Sequence, residues 1–330
     1  MTGAVAERST GRPGSRATAH AVAFVAENKA DAEAIGRELA DLTGDPEAFA
    51  GALRSGLRAL SDPIYLEGQR RVAPGIGALF GVRWPLIEAV KHGFRGATLR
   101  ERTSTWLFVA DRLLRERELE SRWFSFGLLE RLVQDEPERT WQLVRRAARE
   151  AADWITVDSL AHVVGKGILA EPYRWAELEQ LVYSPSRWER RLIGSTVATM
   201  PFVDRRRGRG PEVADHGLAL IAQLIGDAEA DVQKALAWAL RSLVLVDRAA
   251  VTTFCESEAE KAVATNDGHR AWVIRDTLSK LDPEPAAAIR ASLDGIRRRP
   301  GAASTSEAAT AAERFGQGVL GGPHPEPPLI

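Results

Sequence analysis

Residues 231–246 read DVQKALAWALRSLVLV. Ala235, Leu236, Ala239, Leu240 and Leu243 recur at three- and four-residue steps, so this stretch is a helix with one apolar face. Lys234, Trp238 and Arg241 fall at i, i+4 and i+7, on a separate stripe of the same helix. An indole set between two cations is a poor candidate for a deep core, and the stripe reads as a surface facing something negative and flat-sided. The alternative is a Trp at the core edge flanked by two snorkelling cations.

The same periodicity extends outward in both directions, as at Leu107, Val109, Ala110, Leu113 and Leu114. Asp45-Pro46-Glu47, Asp135-Glu136-Pro137 and Asp282-Pro283 place an acid or a proline at helix entries, and Pro85 eases the start of the helix that follows Arg83. No sustained alternation or Asn-Gly turn signals a strand. From about residue 118 the helices pair: 118–133 with 138–151, 157–169 with 174–181, and 186–199 with 212–225. The spacing is irregular and near 40 residues, inside the HEAT-repeat range. The expected fold is all-α, a right-handed α-α solenoid of degenerate HEAT-like pairs over residues 21–299, whose concave face suits a rod-shaped ligand such as a duplex. Residues 1–20 and 300–330 are rich in Gly, Ser, Pro and Ala and read as a disordered N-terminal and a flexible C-terminal tail.

Composition narrows the chemistry. A formal charge of −1 over 330 residues leaves no global positive field, so nucleic-acid binding requires a local basic surface. Cys255 is the only cysteine, and the six histidines show no HxxxH or similar ligand spacing. That disfavours a disulfide framework and a metal site, and no apolar run approaches the roughly 20 residues of a membrane span. The expectation from composition is a reduced, soluble, cytoplasmic protein without a metal cofactor.

Three stretches could carry chemistry. In 151–166, AADWITVDSLAHVVGK, Trp154 and Asp158 lie four apart and share a helix face. An indole beside a carboxylate can hold a developing positive charge. A Trp at such spacing is also commonly core, and an Asp near a helix start commonly a cap. In 184–200, SPSRWERRLIGSTVATM, Ser184 reads as the N-cap with Pro185 in the first turn. Arg187 and Arg191 there share a face near the helix start, where cations oppose the dipole and need an anion, either a carboxylate such as Glu189 or Glu179 or a phosphate. Arg205, Arg206 and Arg207 follow in a Gly-containing loop, either solvated or a phosphate strip beside Arg187 and Arg191.

These pieces, in order, resemble the DNA alkylation repair family of HEAT-like alkylpurine DNA glycosylases. Phe80-Gly81-Val82-Arg83-Trp84-Pro85 resembles the segment opening the family's first large helical pair. Trp154-Ile155-Thr156-Val157-Asp158-Ser159 is similar to its W-x-x-V-D-S signature, and Trp188-Glu189-Arg190-Arg191 to its W-x-x-R segment. Residues 234–241, KALAWALR, are similar to its K-A-[IL]-x-W-x-L-R signature. The resemblance covers about residues 55 to 285. It implies that Asp158 is the catalytic carboxylate, that Trp154 and Trp238 flank the damaged nucleotide's sugar, and that Arg191 holds the lesion phosphate. The phosphate contacts expected beside it are Arg187, Lys234, Arg241, Arg205, Arg206 and Arg207.

The implied substrate is double-stranded DNA carrying alkylated bases of the 3-methyladenine and 7-methylguanine type, and the implied protein is a nucleoid-associated monomer without metal or organic cofactor. Such bases are cationic and leave readily, so the group to stabilise is an oxocarbenium-like sugar, which a carboxylate and indole faces suit. The resemblance also implies that the base is not flipped into a pocket. The competing reading is a non-catalytic helical-repeat module that binds DNA structure or another protein.

Overall fold

The computed structural model describes residues 14–73, 75–99 and 103–319. The described chain is all-helical: outside helices and turns it contains only the isolated bridges Ser61–Val82 and Ala78–Glu118. It divides into two compact units between Ser125 and Phe126.

The first unit holds α1 (Gly14–Ala40), α2 (Pro46–Ala59), α3 (Pro63–Val72), α4 (Trp84–Ala97), α5 (Trp106–Leu114) and the start of α6 (Leu119–Asp135). Asp45 caps α2 as its acid-proline entry predicts, accepting from the N–H groups of Glu47 and Ala48 at 3.1 and 3.0 Å. The core is a cluster of rings from four helices. Phe94 lies 4.9 Å from Trp106, 5.7 Å from Phe49 and 6.0 Å from Phe124. The segment at Phe80 is held by the buried Glu120 carboxylate, which accepts from the N–H groups of Phe80, Gly81 and Val82 at 3.1, 2.8 and 3.2 Å. Pro85 sits in the first turn of α4, as expected.

The second unit continues α6 and adds α7 (Pro137–Glu150), α8 (Trp154–Ala170), α9 (Trp175–Gln180), α10 (Arg187–Val203), α11 (Pro211–Leu224), α12 (Ala230–Leu243), α13 (Arg248–Thr265), α14 (Gly268–Thr277), α15 (Pro283–Ser292) and α16 (Glu307–Val319). The helices expected in pairs are present to within three residues at most ends. Within this unit α8, α10, α12 and α14 pack side by side in chain order, and α11, α13 and α15 pack against one another as a second row. The helix expected to start at Ser184 starts at Arg187. Ser186 holds the cap position, while the Ser184 hydroxyl accepts from Ser186 N–H at 3.1 Å and donates to Glu189.

Parts of both stretches read as tails are helical where they are described. Residues 14–20 already belong to α1. Beyond residue 300, α16 packs on α11 and the turn Leu181–Tyr183, burying Ala308, Ala309 and Ala312. Its alanines look like linker composition, but alanine is the best helix former and three of them line one face. Ser306 anchors the start by donating to the Gln223 carbonyl at 2.6 Å and accepting from Ala309 N–H at 3.1 Å. The remainder of both expected tails, residues 1–13 and 320–330, lies outside the described residues.

Candidate active site

The start of α8 separates two acids that its sequence leaves alike. Asp153 is the cap: its carboxylate accepts from Thr156 N–H at 2.8 Å and from the Thr156 hydroxyl at 2.7 Å. Trp154 is therefore the first helical residue, and the residue is 39% exposed. Asp158, one turn further on, has no capping role.

Asp158 is instead held by α10. Arg191 approaches it in a fork, Nε to Oδ1 at 3.1 Å and Nη2 to Oδ2 at 2.8 Å. The Ser195 hydroxyl, one turn beyond Arg191, donates to Oδ1 at 2.6 Å. Arg191 Nη1 also donates to the Asp231 carbonyl at 2.6 Å, in the first turn of α12. One guanidinium thus joins three helices. Its side chain is 6% exposed, whereas that of Asp158 is 19% exposed. A forked, charge-assisted pair of this kind fixes direction as well as position.

The approach of α12 to α10 is set at Gly194, where a Cβ would stand 2.7 Å from the Ala235 carbonyl carbon and 2.9 Å from its Cβ. On α12, Lys234 is exposed and has no ion-pair partner among the described residues, and Trp238 is half-buried one turn later. Arg241 is less free, since it pairs with Asp276 of α14 and donates to that residue's carbonyl at 3.2 Å.

The remaining expected cations are not gathered at Asp158. The Arg187 guanidinium lies 4.7 Å above the Trp188 ring and 3.5 Å from Glu229. Its neighbour Arg190 is wholly structural, tied to Asp227 at 2.7 Å and to the Ser184 carbonyl at 2.7 Å. Arg205, Arg206 and Arg207 are exposed, but they follow the far end of α10, a helix of 17 residues. At 1.5 Å per residue the end of α10 lies about 25 Å along the axis from Arg187 and about 18 Å from Arg191, so the loop does not adjoin Asp158. Asp204 organises that loop by accepting from the N–H groups of Arg207 and Arg206, which hold its carboxyl below the usual range.

Two polar residues of this region were not singled out from the sequence. Ser195 stands four residues after Arg191, and the exposed His162 stands four after Asp158. The i+4 arithmetic alone could have flagged both, but a serine in an apolar run and a surface histidine carry no signal of their own. Among the described residues no group of three or more His, Cys, Asp or Glu is placed to hold a metal ion, and no helix is long and apolar enough to cross a membrane.

The arrangement is a partly exposed carboxylate, clamped from beneath by a buried guanidinium and a hydroxyl, with an exposed indole one turn away on its own helix. Comparison with known proteins agrees with the sequence resemblance. The family model described as DNA alkylation repair enzyme matches residues 53–281, a span containing Trp154, Asp158, Arg191 and Trp238. No curated protein matches the chain. With most of its length covered by that model, the chain belongs to the DNA alkylation repair enzyme family.

Proposed function

We propose that the protein is a DNA N-glycosylase that releases cationic alkylated purines, of the 3-methyladenine and 7-methylguanine type, from duplex DNA. The observation that carries this reading is the state of Asp158: a carboxylate oriented by Arg191 and Ser195, yet open to solvent beside Trp154. A residue serving only to stabilise packing has no need of that opening.

An alkylated purine already carries positive charge, so the C1′–N bond breaks with its electron pair moving to the base, which departs neutral. The sugar left behind is oxocarbenium-like. Asp158 supplies a fixed negative charge to it, and Trp154 and Trp238 supply ring faces for cation–π attraction. Water adds to C1′, its proton passes to Asp158 and then to solvent, and the product is an abasic site. Arg191 spends three of its five N–H groups on Asp158 and Asp231. In this reading its charge draws the lesion phosphate toward Asp158 without direct contact, because the guanidinium is buried. Lys234 and Arg187 supplement it, and the paired helices of the second unit form the solenoid face that takes the duplex. The protein acts as a monomer.

The test is release of free base from methylated duplex, read by mass spectrometry. Wild type should release 7-methylguanine or 3-methyladenine, and Asp158→Asn should slow release by about 10²–10³-fold, the usual effect of losing one preorganised charge. Salt-sensitive duplex binding with no base release would favour a binding module. Absence of both would leave a scaffold.

A further inference from the structure

We infer that Ser195 is a positioning residue that leaves one oxygen of Asp158, Oδ2, as the acting atom. This rests on the glycosylase reading above. An ionised carboxylate has about four lone-pair directions, two on each oxygen. Oδ1 accepts twice, from Arg191 Nε at 3.1 Å and from the Ser195 hydroxyl at 2.6 Å, so its capacity is filled. Among the described residues Oδ2 accepts once, from Arg191 Nη2 at 2.8 Å, which leaves it capacity for one more donor.

Ser195 is fully buried, whereas the Asp158 side chain reaches solvent, so the filled oxygen is tied to the helix packing beneath. The fork with Arg191 sets the direction of the carboxylate but bonds both oxygens alike, one N–H to each. The third bond, from Ser195, makes the two oxygens unequal. Oδ2 then meets the cationic sugar or accepts the proton of the water that attacks it.

A nearby hydroxyl provides the control. Thr199, one turn beyond Ser195, is also buried on α10; its hydroxyl donates to the Thr196 carbonyl of its own helix at 3.0 Å and lies 3.4 Å from the Ala161 carbonyl of α8. It sits between the same two helices and has no hydrogen bond to Asp158 among the described residues. Single-turnover base release and duplex affinity are measured for wild type, Ser195→Ala and Thr199→Val, with thermal melts of each. Ser195→Ala should lower the single-turnover rate by about 10- to 100-fold, the scale of one hydrogen bond to a charged group, with the duplex Kd within about twofold. Thr199→Val should retain the wild-type rate, and Ser195→Thr, which keeps the hydroxyl, should recover most of the loss.

An active wild type with Ser195→Ala within twofold of it overturns the inference and leaves the glycosylase reading standing. Equal losses in Ser195→Ala and Thr199→Val also overturn it, by showing a packing role. A wild type that frees no base sinks the glycosylase reading, and the inference falls with it.

Discussion

At the scale of single residues, the pairing of Asp158 with Arg191 makes the two interdependent, and substitutions must be read accordingly. Removing one partner of a buried pair leaves the other charge uncompensated, typically costing about 3–5 kcal/mol. Because Asp158 is open to solvent and Arg191 is not, the penalty is unequal. Arg191→Ala leaves a carboxylate that water can still reach, so its cost should fall near the lower end, about 3 kcal/mol in urea denaturation. Arg191→Lys keeps the charge but loses the fork and the bond to the Asp231 carbonyl. It should retain most of the stability while losing at least tenfold in base release. A lysine variant as active as wild type would show that charge alone suffices.

At the scale of elements, the site depends on how closely α12 approaches α10. Gly194→Ala would place a methyl group within 2.7–2.9 Å of Ala235, where only a backbone shift can relieve it. Such overpacking costs about 1–3 kcal/mol. It also moves Trp238 and Lys234 away from Arg191, so base release should fall by more than the melting temperature alone would imply. In the first unit, Glu116 joins α2 to α5, accepting from Arg54 at 3.0 and 2.7 Å and from Arg112 at 2.6 Å. Burial by itself would raise its carboxyl, but the bonds from Arg54 and Arg112 outweigh it and hold the group below the usual range. A depressed folded value means the contribution is fully present above the ordinary glutamate range and is lost as pH falls through the depressed one. Glu116→Gln should therefore cost on the order of 1.5–3 kcal/mol at neutral pH, with the difference from wild type vanishing in acid. Parallel denaturation curves at all pH values would contradict this.

For the whole molecule, a net charge of −1 means that the proposed duplex binding would rest on few cations placed well. Each phosphate contact contributes about 0.9 to the slope of log K against log salt. Lys234→Ala should reduce that slope by about one and weaken binding to all sequences alike. Neutralising Arg205, Arg206 and Arg207 together should leave the single-turnover rate at saturating duplex unchanged, because the loop sits at the far end of α10 from Asp158. A loss of rate in that triple variant would mean the loop reaches the lesion.

Much of this architecture was legible in the chain itself. Helix identity, most helix ends and the entries at Asp45 and Pro85 follow from periodicity and capping, which depend on residues a few positions apart. The residue types at Trp154, Asp158, Arg191 and Trp238 were equally open to reading. What only the tertiary structure decided is which of them meet. Asp158 and Arg191 are 33 residues apart, and Ser195 is a further turn along. Their union is set by how α8, α10 and α12 pack, through close approaches such as Gly194 to Ala235 that leave no periodic trace. The same packing places the basic loop at the end of α10 away from Asp158 and docks the alanine-rich helix α16 on α11. Local preferences write helices into a sequence, whereas contacts between distant turns arise only once those helices find their neighbours.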